Sequence, residues 1–476
     1  MSKNLFPLVK EQLSFNYGVD QPKKEGDYVN TLIEILSNDL DFHRKNSRYA
    51  SHNFHPFPAK FPPQLPLVFI KDLTEPNEVV LDPMMGSGTT VLEAYLTGRK
   101  GIGFDIDPLA IMISKVKTTP LRRRELIKYT HEILKNAKNQ INRESKALEQ
   151  LLLTRWDSKT KQFIDYWFAQ EVQLELLALV LQISQIQNEA LRTFFELAFS
   201  AIIITKSGGV SYALDLAHTR PHKAKVVFSK KGSVLFGEEL DEIKFPRLKV
   251  LTKRLRSPIE EFEKRCIQNI KDLINNNSGS IQPEIRFGNA QRLPIEDNSV
   301  DLIVTSPPYA SNAIDYMRAH KFSLVWFGYQ IDDLSLKRKE YIGSEMITNF
   351  NYESLPEFTA AIVADISKID SNRGTVLHRY YSEMTRTLSE MYRVLKPGKA
   401  AIVVVGNSIM RGKDTEIPNC LADIGCQVGF QVPKIGVRKL DRDKRMLPAG
   451  IEKNINSQIQ RRMHEEYVIG FYKPED

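Results

Sequence analysis

Cysteine is scarce in this chain: Cys266, Cys420 and Cys426 are all there is, an odd number without close spacing. That excludes a disulfide framework and a four-cysteine zinc site, and it suits a reducing compartment. Long apolar runs are missing too. The longest, near Leu174 to Ile183 and Leu197 to Ile204, fall short of the ~20 residues a membrane span needs. No continuous apolar stretch follows the opening MSKNLFPLVKEQ, so the expectation is a cytoplasmic protein that is neither secreted nor anchored. Glycine and proline number only 24 each in 476 residues, and 42% of the residues are hydrophobic. That composition speaks against disorder and for a substantial core. At roughly 150 residues per domain, the length fits about two to three domains, or one core fold with a large insertion. There is no internal repeat at a fixed period.

The net charge is +8, which permits a polyanionic partner. Its distribution is uneven. Residues 121–280 hold 27 basic and 19 acidic side chains, so the whole excess sits in one central segment.

Residues 1–50 are polar, with a helix expected from Tyr28 to Leu40. The prolines of Phe54 to Pro63 impose extended or turn geometry. Glu78 to Leu81 then reads as a buried strand, Asp82 to Thr90 as a tight loop, and Val91 to Thr97 as a helix closed by Gly98. Gly101 to Asp105 is a second strand, and Pro108 to Val116 a second helix with proline at an early position. Such alternation implies a parallel sheet with helices on its faces. From Leu121 to about Asn277 the pattern stops, and a mostly helical insertion is expected, closing on the linker-like Asn275 to Ser280. Strands resume at Glu284 to Phe287 and Val300 to Val304. A helix over Tyr380 to Leu395, a turn at Lys396-Pro-Gly398 and a strand over Ala400 to Val405 follow. The last expected strands are Gln427 to Gln431 and Tyr467 to Tyr472.

Two loops carry the chemistry. The first, Asp82-Pro83-Met84-Met85-Gly86-Ser87-Gly88-Thr89-Thr90, follows a strand and opens a helix, where open α/β sheets bind ligands. It lacks the GxxxxGK[ST] of a phosphate loop and the third glycine of a dinucleotide fingerprint, and its leading acid would repel phosphate. The same acid suits a cation. S-adenosyl-L-methionine carries a sulfonium and an ammonium, so Asp82 is a receptor for its methionine end. Asp105, beside Ile106, is placed to accept from ribose hydroxyls, and Asn289, beside Ala290, to hold the adenine amino group. A plain tight turn is the competing account of the glycine loop taken alone.

The second loop, Thr305-Ser306-Pro307-Pro308-Tyr309, leaves a buried strand at two prolines that cannot continue a ladder. Ser306 Oγ and a proline carbonyl are candidate acceptors for the N–H bonds of an exocyclic base amine, favouring the pyramidal nitrogen of methyl transfer. Tyr309 offers a face on which an extruded base stacks. A Pro-Pro turn with Tyr309 as core is the alternative.

Together these strings resemble the amino-group DNA methyltransferases, which act on cytosine N4 or adenine N6. The resemblance covers about residues 50–118 and 284–410. It implies a Rossmann-like α/β fold, a seven-stranded methyltransferase sheet, interrupted here by the large, mostly helical insertion. It implies cofactor contacts at Asp82, Gly86, Gly88 and Asp105, and catalysis through Ser306, Pro307, Pro308 and Tyr309. The stretch from Phe57 to Phe61, with Lys60, is similar to the segment that closes over the methionine moiety in that family. On this basis residues 51–120 and 281–476 form the catalytic core, 1–50 an N-terminal helical extension, and 121–280 a possible target-recognition region. Two departures stand out: Met84 occupies a position usually aromatic, and the insertion lies in an unusual place, between the second and third core strands.

Serine at the head of the second motif is commoner in the cytosine-N4 branch, which favours that base over adenine N6 and over the guanine N2 of related RNA enzymes. The implied partners are double-stranded DNA and a cognate restriction endonuclease or defence-system subunit. Expected phosphate contacts are Arg122, Arg123, Arg124, Arg220, Lys223, Lys253, Arg254 and Arg256, with solvated faces as the alternative. The runs Arg438 to Arg445 and Arg461-Arg462 are equally well explained as DNA contacts or as helix surface. The stretch Asn312 to Lys321 is a further candidate to touch the target nucleotide, although Asp315 and His320 read better as structural. His52 and His55 lack a ligand set, so no metal site is expected.

Overall fold

The computed structural model describes residues 26–57, 60–205, 207–216, 221–237, 251–273, 281–310, 315–343, 350–440 and 465–475. Helices α1 (Gly26–Ser37) and α2 (Gln64–Leu73) lead into β1 (Val79–Asp82), α3 (Thr89–Leu96), β2 (Lys100–Asp105) and α4 (Pro108–Thr118). Next come α5 (Arg123–Arg143), α6 (Ser145–Thr154), α7 (Ser158–Trp167), α8 (Gln170–Ser184) and α9 (Glu189–Ile203). Three short strands follow, β3 (Val226–Phe228), β4 (Val234–Phe236) and β5 (Thr252–Arg254), then a helix over Pro258–Lys271. The alternation resumes with β6 (Glu284–Phe287) and β7 (Val300–Thr305), helices over Tyr316–Leu324, Ile331–Lys339, Glu357–Ile369 and Ser371–Val394, and β8 (Leu395–Gly406). A small hairpin, β9 (Ile409–Met410) with β10 (Lys413–Asp414), a helix over Ile417–Val428, β11 (Gln431–Lys439) and β12 (Glu465–Tyr472) complete the described elements.

Seven strands form one sheet in the order β11-β12-β8-β7-β1-β2-β6. From β8 to β6 all pairs are parallel, and β12 runs antiparallel to both β8 and β11. The strands read as continuous apolar runs because both faces are covered. One face carries Leu65, Phe69 and Ile70 of α2 and Leu32 and Leu36 of α1. The other packs on the long helix Ser371–Val394 through Tyr380, Tyr381 and Met384. The chain moves from β1 outward to β2 and β6 on one side, and from β7 to β8 on the other. The strand order therefore reverses between β1 and β7, the crevice where such sheets bind ligands.

Two expectations change. The insertion is mostly helical as expected, and within it β3 pairs antiparallel with β4 and parallel with β5; strands of three residues are too short to show alternation. Lys396-Pro-Gly398 is a bulge inside β8, where Val300 pairs with Leu395 but Leu302 with Ala400, rather than a turn before it. Gln427 is helical: apolar Cys420, Leu421 and Ile424 extend a helix that stops at Gly429, φ 121°, and the strand starts at Gln431. The Asn275 to Ser280 stretch lies outside the described residues.

The inserted helices are continuous with the catalytic half. A single apolar cluster joins Leu109 and Ile113 of α4 to Leu177 of α8, Phe195 and Phe199 of α9, and Phe322 and Trp326 beyond the second loop. This shared packing fixes the insertion against α4 and the helical segment that follows the second loop. No described helix is long and apolar enough to cross a membrane.

Candidate active site

β1 and β7 are adjacent and parallel, with Val80 opposite Leu302 and Leu81 opposite Ile303, so the loops that follow them leave the same rim. They share one cleft of about 880 Å³, its open mouth included, lined by Asp82, Met84, Gly86, Ser87 and Thr89 from the first loop and by Ser306 and Pro308 from the second. A direct bond joins the two: Thr305 Oγ1 donates to Asp82 Oδ1 at 2.7 Å.

Asp105 ends β2 and ties the rim together. Its Oδ2 accepts from Gly86 N and its Oδ1 from Asp107 N, both at 2.8 Å. Burial raises the Asp105 carboxyl to about 7, with the neighbouring Asp107 adding to the rise. Burial likewise lifts Asp82 to about 6. Asp107 caps α4 through Leu109 N at 2.8 Å and meets His320 Nδ1 at 2.6 Å. Burial alone would raise it too, but His320 and these hydrogen bonds hold it below the usual carboxylate range.

Among the described residues neither Asp82 nor Asp105 has a cationic side-chain partner. Two buried carboxylates raised in this way are matched to a ligand that brings positive charge and hydrogen-bond donors, which is the chemistry of S-adenosylmethionine's methionine and ribose portions. Lys60 lines the same cleft. Its ammonium donates to the His52 and His55 carbonyls at 3.1 and 3.4 Å, which holds the side chain at the cleft wall.

Pro83, Ile106, Asn289 and Ala290 also line the cleft. Asn289 Oδ1 accepts from Gln291 N at 2.9 Å, so its amide plane is set by its own turn. Gly88 does not line the cleft. It sits at φ 69°, and a Cβ there would lie 2.5 Å from Ser114 Oγ; the glycine serves close packing of α3 on α4 rather than ligand approach. Pro307 and Tyr309 also lie off the cofactor cleft: Pro307 is buried, and the Tyr309 hydroxyl turns to Glu466.

Several lining residues escaped the sequence reading. Asp107, Tyr316, Tyr341 and Ile342 all face the cleft. Asp107 carried a signal, an acid directly before a helix-opening proline. Tyr316 falls within the stretch singled out after the second motif; its ring stacks on Phe57, centroids 5.0 Å apart and planes at 21°. Tyr341 and Ile342 had no local signature.

The expected phosphate contacts divide. Arg122, Arg123, Arg124 and Arg254 are exposed. Lys253 is not available as a free cation, because its ammonium donates to Ala213 O at 2.6 Å and burial pulls it down to about 7. Lys223 lies among the rings of Tyr166, Tyr212 and Phe236, 3.6 Å from the last. Arg256 pairs with Glu261 at 3.2 Å, and Arg438 is buried against Glu466. Arg220, Asn312, residues 441–445 of the run from Arg438, and Arg461-Arg462 lie outside the described residues. Asp315 bridges Arg318 and Arg338.

The N6_N4_Mtase family model, a DNA methylase, matches residues 15–116. Type II methyltransferase M.MvaI of Kocuria varians is 27% identical over 411 residues, covering 80% of this chain and 83% of that protein. Type II methyltransferase M.BsoBI of Geobacillus stearothermophilus is 21% identical over 466 residues, covering 88% and 86%. The family model falls on the first loop and these relatives align over four fifths or more of the chain, so the chain is similar, well beyond that loop, to the amino-group DNA methyltransferases.

Proposed function

We propose that this enzyme methylates cytosine N4 at a specific site in double-stranded DNA, as the modifying partner of a cognate restriction endonuclease. The observation that carries the reading is Ser306. Its hydroxyl donates to Val404 O at 3.0 Å and its oxygen neighbours the Tyr309 hydroxyl, while the residue lines the cofactor cleft, so a lone pair remains to accept from a base amine. S-adenosylmethionine supplies an electrophilic methyl on sulfur. Asp82 and Asp105 hold its charged and hydroxyl-bearing ends, and the stacked Phe57 and Tyr316 wall off water.

Ser306 Oγ and a carbonyl of the Pro-Pro turn then accept the two N–H bonds of the amine, returning lone-pair density to a nitrogen whose electrons are otherwise delocalised into the ring. As nitrogen bonds to the methyl carbon, the carbon–sulfur bond breaks with its electron pair leaving on sulfur. The nitrogen afterwards loses one proton to solvent. A neutral serine at this position, where an aspartate is the other option in the family resembled, supports cytosine over adenine.

Exposed Arg122, Arg123, Arg124 and Arg254 are the proposed phosphate contacts, and residues 121–280 the proposed target-reading region. The relatives' designation as Type II methyltransferases supports a restriction–modification setting. Labelled methyl transfer to duplex DNA, followed by nucleoside mass spectrometry, should yield N4-methylcytosine. N6-methyladenine would overturn the base assignment, and label confined to structured RNA would overturn the DNA reading.

A further inference from the structure

Tyr309 is held by a residue 157 positions away. Its hydroxyl donates to Glu466 Oε1 at 3.0 Å, and the other oxygen, Oε2, accepts from Arg438 Nη1 at 2.5 Å. Topology explains the meeting. β12 is antiparallel to β8, so its first residues lie at the rim where β7 and β8 end. There Glu466 is in register with Gly406 on one side and Arg438 on the other.

Arg438 is only 5% exposed, and its Nε has no partner among the described residues. Its guanidinium is therefore committed to orienting the carboxylate, in the geometry of a charge-assisted bond. At the other end, Pro307 and Pro308 restrain the backbone leading to Tyr309, and its half-buried ring packs against the apolar core beside the sheet. A hydrogen bond at the phenol oxygen, the atom farthest from the backbone, adds a fixed point at the ring's far end.

We propose that Glu466 is a positioning residue for Tyr309, fixing the plane of the ring on which the extruded base rests, with Arg438 fixing Glu466 in turn. This inference rests on the reading of Tyr309 as the base-stacking surface. It assigns the last strand pair of the sheet a part in holding the target base, although neither Glu466 nor Arg438 belongs to either motif.

The test is a double-mutant cycle on the full chain, after methylome sequencing has given the target site. Tyr309→Phe and Glu466→Ala should each lower kcat/KM for DNA by about tenfold, a share of a base-aromatic stack, with cofactor affinity unchanged. The double variant should be no worse than the poorer single one. Glu466→Gln keeps an acceptor and should restore most of the activity. With 2-aminopurine at the target position, the short-lifetime stacked component should shrink alike in Tyr309→Phe and Glu466→Ala.

Additive losses, a Glu466→Gln enzyme as poor as Glu466→Ala, or a Tyr309→Phe enzyme equal to the wild type would overturn the proposal. Tyr309→Phe leaves the Arg438–Glu466 pair intact, so the cycle has one arm that an unfolded Glu466→Ala protein cannot spoil. The two readings also fail separately. Coupling in the cycle with N6-methyladenine as product refutes only the base assignment, whereas N4-methylcytosine with no coupling refutes only the role of Glu466.

Discussion

The Lys117 ammonium lies 2.6 Å from the Ser87 carbonyl oxygen, so a fully buried lysine of α4 holds the floor of the cofactor loop. Removing it leaves that carbonyl without its donor, at a cost of about 1–3 kcal/mol. Lys117→Met should therefore weaken S-adenosylmethionine binding by up to about 5- to 150-fold by calorimetry. Burial also holds Lys117 well below the ordinary lysine value of 10.5. The unfolded chain then binds more protons than the native one as pH approaches 10.5, and stability rises with pH across that window. In Lys117→Met the rise should flatten, measured by urea unfolding at neutral and alkaline pH.

Asp105 gives a pH dependence of opposite sense. With its native carboxyl raised to about 7 from 3.8, the folded protein binds more protons than the unfolded one between those values. The contribution to stability is present at acid pH and is lost as pH rises toward 7. A ligand that brings donors and positive charge favours the ionised form, so S-adenosylmethionine binding near pH 6 should release protons. Calorimetry in buffers of different ionisation enthalpy measures the release, which Asp105→Asn should reduce, leaving the share that comes from Asp82, itself raised to about 6.

Ser306→Ala deletes one acceptor without disturbing the cofactor loop. The expected loss is on the order of 10²–10³ in kcat, as for other preorganised polar groups at a reacting centre. Cofactor affinity should hold within about twofold, since the serine's partner is Val404 in the sheet. A KM effect without loss of kcat would assign Ser306 to DNA binding instead.

Gly88 offers a test of stability rather than chemistry. An alanine there suffers the left-handed φ of 69° and a Cβ contact of 2.5 Å with Ser114 Oγ. Together these should destabilise the fold by about 2–4 kcal/mol. In Gly88→Ala/Ser114→Gly the contacts with Ser114 Oγ and Cβ disappear, leaving the backbone strain of about 1–2 kcal/mol, a 3.2 Å contact with the Cα of residue 114 and about 1 kcal/mol for a glycine inside α4. Thermal unfolding of both variants, with Ser114→Gly alone as the reference, separates the parts.

What the sequence revealed follows from how local each signal is. The loops Asp82 to Thr90 and Ser306 to Tyr309 were legible because each is a contiguous string directly after a short apolar strand. The order β1 next to β7 was implied by the ligand crevice that both loops needed. Glu466, Lys117 and Tyr341 were not legible, because each reaches the site by tertiary packing from an element whose own pattern is ordinary. The small sheet of β3, β4 and β5 was hidden by strands of three residues. The basic segment misled in part, because charge counted along the chain does not separate Arg123, exposed at the start of α5, from Lys253, whose ammonium is turned inward.

That separation yields the last prediction. If Arg122, Arg123 and Arg124 each meet a phosphate, changing all three to Glu should lower the slope of log affinity against log salt by about 2–3. Lys253→Glu should leave the slope alone, because its ammonium is bonded to Ala213 O. It should instead lower the melting temperature by several degrees, as a carboxylate is forced toward that carbonyl. Fluorescence anisotropy over a salt series, paired with thermal unfolding, tells the two apart. A slope change with Lys253→Glu and none with the arginine triple would mean that DNA lies on the β5 face and away from α5.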